Sequence, residues 1–179
     1  MAGKKYVSDY RPEEVVTPSG KRTTRYVYQG VYFRFERPRQ DILRLRRHVL
    51  LTALAAMLLI FPLLTTATFL SHTIYIVLPV ASAFVPLYLL FAGARRLGLS
   101  EERFTREHRD KTQKRIARAS LWLSIFLGAG TIGGIVYLCL REVVLEEILC
   151  VASLVLAFAA SATLLPRRHW AKAVEDSAH

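Results

Sequence analysis

The chain has 179 residues, 53% of them hydrophobic and 22% charged, with a formal net charge of +11. The positive charge falls in alternate gaps between four long apolar stretches. It therefore has a cause in membrane orientation and is not read as nucleic-acid binding. Only two cysteines occur and they lack a CxxC spacing, which argues against a redox role.

Residues 1–48 hold 12 of the 25 Lys and Arg and are too long for a mere tail. Pro18-Ser19-Gly20 is a turn signal, and Gln29-Gly30 is a second one. Thr23–Tyr28 and Val31–Glu36 are rich in β-branched and aromatic residues, which favours strands. Alternation sets Val31, Phe33 and Phe35 on one face and Tyr32, Arg34 and Glu36 on the other. The expected element is a small β-hairpin, or a three-stranded meander that adds Glu14–Thr17. An isolated hairpin is marginal in water. Its apolar face must rest on the chain's own helices, on the lipid interface or on another protein. Val31, Phe33 and Phe35 are thus the candidate partner-binding residues. Pro38 ends the strand, and Asp41 is positioned to cap the helix that follows.

The apolar stretches are Val49–Leu70, Thr73–Gly93, Ala119–Leu140 and Val143–Leu165. At about 1.5 Å per residue each covers about 30 Å of hydrocarbon. The first begins far behind the N-terminus, so no cleavable signal is evident, and this span is expected to insert as an uncleaved anchor. The loop 94–118 holds 9 Lys and Arg, the tail 166–179 holds 3, and Arg141 is the one that remains. Loops rich in Lys and Arg stay cytoplasmic. Both termini and the middle loop are therefore expected inside a plasma membrane. Two tight turns, at Ser71-His72 and Arg141-Glu142, are expected outside. Arg44/Arg46/Arg47, Arg95/Arg96, Arg115/Arg118 and Arg167/Arg168 flank the spans and would attract anionic lipid head groups.

In span one, Thr65, Thr66 and Thr68 cluster late. Pro62, Pro79 and Pro86 interrupt the first two spans and can kink them. Thr65, Thr66, Pro79 and Pro86 are candidate residues of a permeation route, with plain packing as the simpler reading. In the middle loop, Ser100 is a plausible N-cap with Glu101 and Glu102 behind it. Glu102/Arg106, Glu107/Lys111 and Asp110/Lys114 are acid-then-base pairs four apart, which support a solvated helix. Span three is therefore expected to be the inner part of a longer helix that projects into the cytoplasm.

Gly130 and Gly134 form a GxxxG pair in span three, and Ser153, Ala157 and Ser161 give span four a small-residue face. These residues are expected to pack spans three and four as a tight hairpin. A homodimer through span three is the alternative. Glu146 and Glu147, with Glu142, read as an acidic interfacial rim. Cys139 and Cys150 approach the same outer side, where a disulfide needs Cα atoms within about 7 Å. The histidines are scattered, and no nucleotide, metal or hydrolase motif occurs.

The expected fold is an all-α membrane protein of four transmembrane helices in two hairpins. It carries a small N-terminal cytoplasmic β-hairpin and a cytoplasmic extension of the third helix. Residues 1–48, 49–165 and 166–179 are its cytoplasmic segment, membrane domain and tail. No catalytic residue, metal or cofactor is assigned. The expected role is a non-enzymatic accessory or scaffold protein that binds another membrane protein. The alternative is an oligomeric transporter or channel subunit for ions or small solutes. A lipid enzyme is weaker still, because no nucleophile or base can be named.

Overall fold

The computed structural model describes residues 9–16, 22–65, 72–99, 104–140, 144–167 and 172–175. Four helical stretches are long and apolar enough to cross a membrane: Arg39–Thr65, Ile74–Leu97, Arg106–Leu140 and Leu145–Ala162. The first is α1 (Arg39–Thr65). Pro38 opens it, its carbonyl accepting the Asp41 and Ile42 amides at 3.0 and 3.3 Å. Asp41 is therefore not the cap expected of it. It lies within the first turn, 3.5 Å from Arg44.

The second stretch is two helices, α2 (Ile74–Ser82) and α3 (Phe84–Leu99), that meet at Ala83. Pro86 has no amide to donate to the Ser82 carbonyl four residues back, so the regular ladder breaks there. The third begins with a short helix, α4 (Arg106–Arg109), passes through a π-turn at Asp110–Lys114, and continues as α5 (Arg115–Leu140). Thr105 caps α4, its hydroxyl accepting the His108 amide at 3.4 Å. The expected cap, Ser100, and the Glu101-Glu102 turn lie outside the described residues. The fourth stretch is α6 (Leu145–Ala162).

The buried positions explain how the helices meet. Val49, Ala53, Ala56, Ile60 and Leu63 recur on α1 at alternating steps of four and three, the spacing of a helix seam. Cys150, Leu154, Ala157 and Ser161 repeat the pattern on α6. Helix α1 packs on α3 and α6, and α5 packs on α2, α3 and α6. The four stretches thus occupy the corners of one bundle, in which the first packs on the second and the third on the fourth, as expected of two hairpins. Leu51, Leu58, Phe61, Leu78, Val85, Ile132 and Leu156 are exposed on its outer surface, so the bundle is apolar outside as well as within.

Four short strands complete the fold. β1 (Tyr10–Val16) pairs antiparallel with β2 (Arg22–Tyr28), from Tyr10 opposite Tyr28 to Val16 opposite Arg22. β3 (Phe33–Phe35) pairs instead with β4 (Ala173–Glu175), with Arg34 opposite Val174. The expected hairpin between Thr23–Tyr28 and Val31–Glu36 is therefore corrected. Alternation identified β3 as a strand, but its partner comes from the C-terminal tail, and β2 pairs backwards onto residues 10–16. Gln29-Gly30 does not turn a hairpin. The turn at Pro18-Ser19-Gly20 lies outside the described residues.

Candidate functional site

The most elaborate part of the molecule is the end of the bundle where the N-terminal segment, the middle loop and the C-terminal tail converge. β3 is held at both edges there. Phe33 exchanges two backbone hydrogen bonds with Phe104, each of 2.9 Å, just before α4. On the other edge the Glu36 amide donates to the Lys172 carbonyl at 3.1 Å, and Lys172 reaches the Glu36 carboxylate at 3.7 Å.

Phe33 is only 3% exposed. The Arg109 guanidinium lies over its ring at 4.2 Å, a cation–π contact. Arg109 also donates two hydrogen bonds of 3.3 Å to the Asp110 carboxylate, and Lys114 reaches the same oxygen at 2.9 Å. Burial alone would raise the Asp110 carboxyl pKa, but Lys114 and Arg109 outweigh it and hold the group below the ordinary carboxylate value. Glu107 pairs with Lys111 on the adjoining turn. The charged helix is thus no free rod: Phe33 and Phe35 cover it, with the Phe35 ring 4.6 Å from Phe104. His108 lies beside Phe104, and burial, then Arg96, lowers its pKa.

Tyr28 fastens the β1–β2 arm to this layer. Its hydroxyl accepts the Arg106 amide at 3.2 Å and donates to the Val31 carbonyl at 3.0 Å. Its ring meets Tyr10 and Tyr32 edge-on, at 5.3 and 5.2 Å. Gly30 permits this: a Cβ there would come within 2.5 Å of the Tyr28 Oη. Beyond Tyr28 the arm is exposed, Tyr26 at 69%. Between arm and layer lies a cleft of about 300 Å³, lined by Asp9, Val31, Phe33, Arg106, Arg109 and Glu175. Its lining carries charges of both signs. Among the described residues no three His, Cys, Asp or Glu gather as a metal-ligand set.

Within the bundle the polar groups are few. Glu147 is 4% exposed and accepts a 3.1 Å hydrogen bond from the Tyr137 hydroxyl. This corrects the acidic-rim reading for Glu147, which turns between α5 and α6, while Glu146 alone of the pair faces outward. The Ser124 and Ser161 hydroxyls meet at 3.2 Å across the same two helices. At the strand-bearing end, His48 Nε2 and Thr163 Oγ1 are 3.1 Å apart and tie α1 to the close of α6.

The candidate residues from the sequence separate into groups. Val31, Phe33 and Phe35 all lie in the converging layer, but only Val31 is exposed; Phe33 is buried and Phe35 half-buried. Gly130 does not face span four: a Cβ there would come within 2.9 Å of Val80 on α2. Gly134 does, 3.0 Å from Val151, so the GxxxG pair is shared between two neighbours. Ala157 and Ser161 are buried and Ser153 is half-buried, its hydroxyl donating to the Cys150 carbonyl at 2.7 Å. Thr65 is exposed and returns its hydroxyl to the Phe61 carbonyl at 3.1 Å. Pro79 is half-buried and Pro86 buried; Thr66 lies outside the described residues. The three that are described are spread over three helices, Thr65 on α1, Pro79 on α2 and Pro86 on α3. Cys139 is exposed and Cys150 buried, and they form no disulfide.

Two parts of the site were missed from the sequence. Strand β4 is too short to signal itself. The Tyr137–Glu147 pair was open to detection, because Glu147 continues the step of Cys150, Leu154, Ala157 and Ser161 that marks the packed face of α6. No family model, curated protein or solved structure matches this chain.

Proposed function

We propose that the chain is a multi-pass plasma-membrane protein of non-enzymatic, accessory type, which binds another membrane protein through its N-terminal arm. Both termini and the middle loop are cytoplasmic in this reading. A bundle apolar on its outside as well as its inside suits lipid better than water. The basic groups flanking the helices suit the anionic head groups of the inner leaflet.

The observation that carries the partner reading is the β1–β2 arm. Its outer edges pair with no other strand among the described residues. Tyr26 and Tyr28 share one face of β2, and Tyr32 packs against Tyr28, so the exposed Tyr26 and Tyr32 continue one aromatic surface. Aromatic side chains that combine apolar area with a polar tip are favoured contact residues. Val31 adds exposed apolar area at the cleft, and Phe33 and Phe35 support the surface from beneath.

The test is native mass spectrometry of the chain extracted gently from its own membrane, followed by the double variant Tyr26→Ser, Tyr32→Ser. A stoichiometric second protein in the parent, lost at least tenfold in the variant while the bundle stays inserted, is the expected outcome. Undiminished recovery of the second protein would sink the assignment of the arm. A chain that leaves its membrane alone would sink the accessory role itself.

A further inference from the structure

The two outer edges of the β1–β2 arm are not alike. The Gln29 amide donates to the Asp9 carbonyl at 2.8 Å, so these two residues form a hydrogen-bonded pair. Such pairs alternate along an antiparallel ladder. Arg11 with Val27 and Glu13 with Arg25 are then hydrogen-bonded pairs, whereas Pro12 with Tyr26 and Glu14 with Thr24 are not. The backbone groups of this second set point away from the neighbouring strand.

On β1 the outward set includes Pro12, which has no amide to offer. Proline at such a place blunts an edge against further pairing. On β2 the outward set is Arg22, Thr24, Tyr26 and Tyr28, with no proline among them. Tyr28 lies against the converging layer, but Arg22–Tyr26 is exposed throughout. The outward amides of Thr24 and Tyr26 make no hydrogen bond among the described residues. They stand about 7 Å apart, the repeat of alternate residues in a strand. The backbone of another strand meets that repeat, and a lipid head group does not.

The side chains restrict which strand that is. β2 carries Arg22 and Arg25 and no carboxylate. Arg25 stands opposite Glu13 but forms no ion pair among the described residues. A second copy paired through this edge would bring four arginines together with no carboxylate on either strand, which is unfavourable. A strand with Asp or Glu opposite Arg22 and Arg25 answers both charges and is selected over that second copy. Resting on the reading of the arm as the partner-binding element, we propose that the outer edge of β2 receives an extended acidic segment of the partner protein. That segment pairs along Arg22–Tyr26 as a third strand of the arm.

The experiment compares the full chain isolated with its second protein and the full chain purified alone, by amide exchange resolved to single residues. In the complex the Thr24 and Tyr26 amides are expected to slow about fivefold or more, the effect of one hydrogen bond each. Val27, already paired within the arm, is expected to change little. Thr24→Pro removes an outward amide and no ladder bond, and should cut recovery of the second protein about tenfold. Glu14→Pro makes the same change on the outer edge of β1 and should leave recovery as it was. Protection of Val27 shows that the arm has stayed folded in each variant; where it has not, the exchange pattern of the parent complex decides alone. Unchanged exchange at Thr24 and Tyr26 in the complex would overturn the added strand. If Tyr26→Ser with Tyr32→Ser still releases the second protein, the accessory reading survives that result. Protection that grows with the concentration of the purified chain would mean that two copies pair, and overturns the proposal. So would protection of the purified chain in phosphatidylglycerol nanodiscs, which would assign the edge to the lipid surface. Absence of any second protein removes the accessory reading and the added strand together.

Discussion

Gly93 shows how single atoms set the spacing of these helices. A methyl group there would sit 2.7 Å from Cγ1 of Ile116, a methylene next to the branch of a buried side chain rather than the loose end of one. Gly93→Ala should therefore cost about 1–3 kcal/mol by overpacking, read as a lower melting temperature in detergent. Gly128→Ala is the contrast: its nearest neighbour is Phe158 Cε2 at 3.1 Å, the edge of a partly exposed ring that can swing aside. That variant should melt within about 0.5 kcal/mol of the parent, and equal losses at both positions would refute the distinction. The titrating residue of the converging layer is His108. Burial first and Arg96 second lower its pKa when folded, so the unfolded chain binds its proton more readily. The stability it contributes is complete above the unfolded value of about 6.5 and is lost as pH falls below it. Asp110, also held low, works in the same direction but only in the more acidic carboxylate range. Amide exchange across Phe104–Arg109, corrected for intrinsic rates, should therefore be faster at pH 5.5 than at pH 7.5. His108→Gln should flatten that dependence, and an unchanged slope would remove His108 as its source.

The elements differ in how far they could be read from the sequence, and the reason is the range of the interactions that define them. The four long helices were legible because an apolar run of this length is a local property that needs no partner. The break at Ala83 followed from Pro86, another local cause. Strand β3 was legible as a strand, and its Val31/Phe33/Phe35 alternation correctly marked an apolar side. Its pairing was not, because the partner Ala173–Glu175 lies nearly the whole chain away and three residues carry no signature. The same holds for the site. Phe33 and Phe35 could be named as an apolar surface, but not the Arg109 guanidinium that covers Phe33, whose place depends on the start of α4 at Thr105. The GxxxG pair identified close packing but not that its two glycines serve different neighbours. The pairing of β3 with β4 has a direct consequence. Truncation before Lys172 removes the acceptor of the Glu36 amide. Exchange at Glu36 should then rise about tenfold or more, since a tenfold change corresponds to about 1.4 kcal/mol and a hydrogen bond contributes about that much. Val27, in the hydrogen-bonded pair with Arg11 on the separate β1–β2 arm, should exchange as before. Uniform acceleration would mean that arm and layer open as one unit.

At the scale of the whole molecule, charge and packing point the same way. The strands, the charged part of the third helical stretch and the described basic residues gather at one end of the bundle. At the opposite end the described residues include the exposed His72 and Glu146, with the Tyr137–Glu147 pair turned inward. Moving the basic end through a membrane would require dehydrating many guanidinium and ammonium groups together with a folded layer. Moving the other end requires passage of far fewer charged groups. On the proposed reading, this lower barrier and the retention of Lys and Arg on the cytoplasmic side select one orientation. Single cysteines test it in a Cys139→Ser, Cys150→Ala background. His72→Cys should react with a membrane-impermeant maleimide in intact cells. Tyr26→Cys, on the exposed arm, should react only after the membrane is opened. The reverse pattern would invert the topology and put the arm outside, where a cytoplasmic partner could never meet it. Labelling of both in intact cells would mean that the four helices do not hold the chain across a bilayer in one orientation. Because the arm and the connection at His72 lie at opposite ends of the same packed bundle, no local rearrangement can produce the expected pattern by accident.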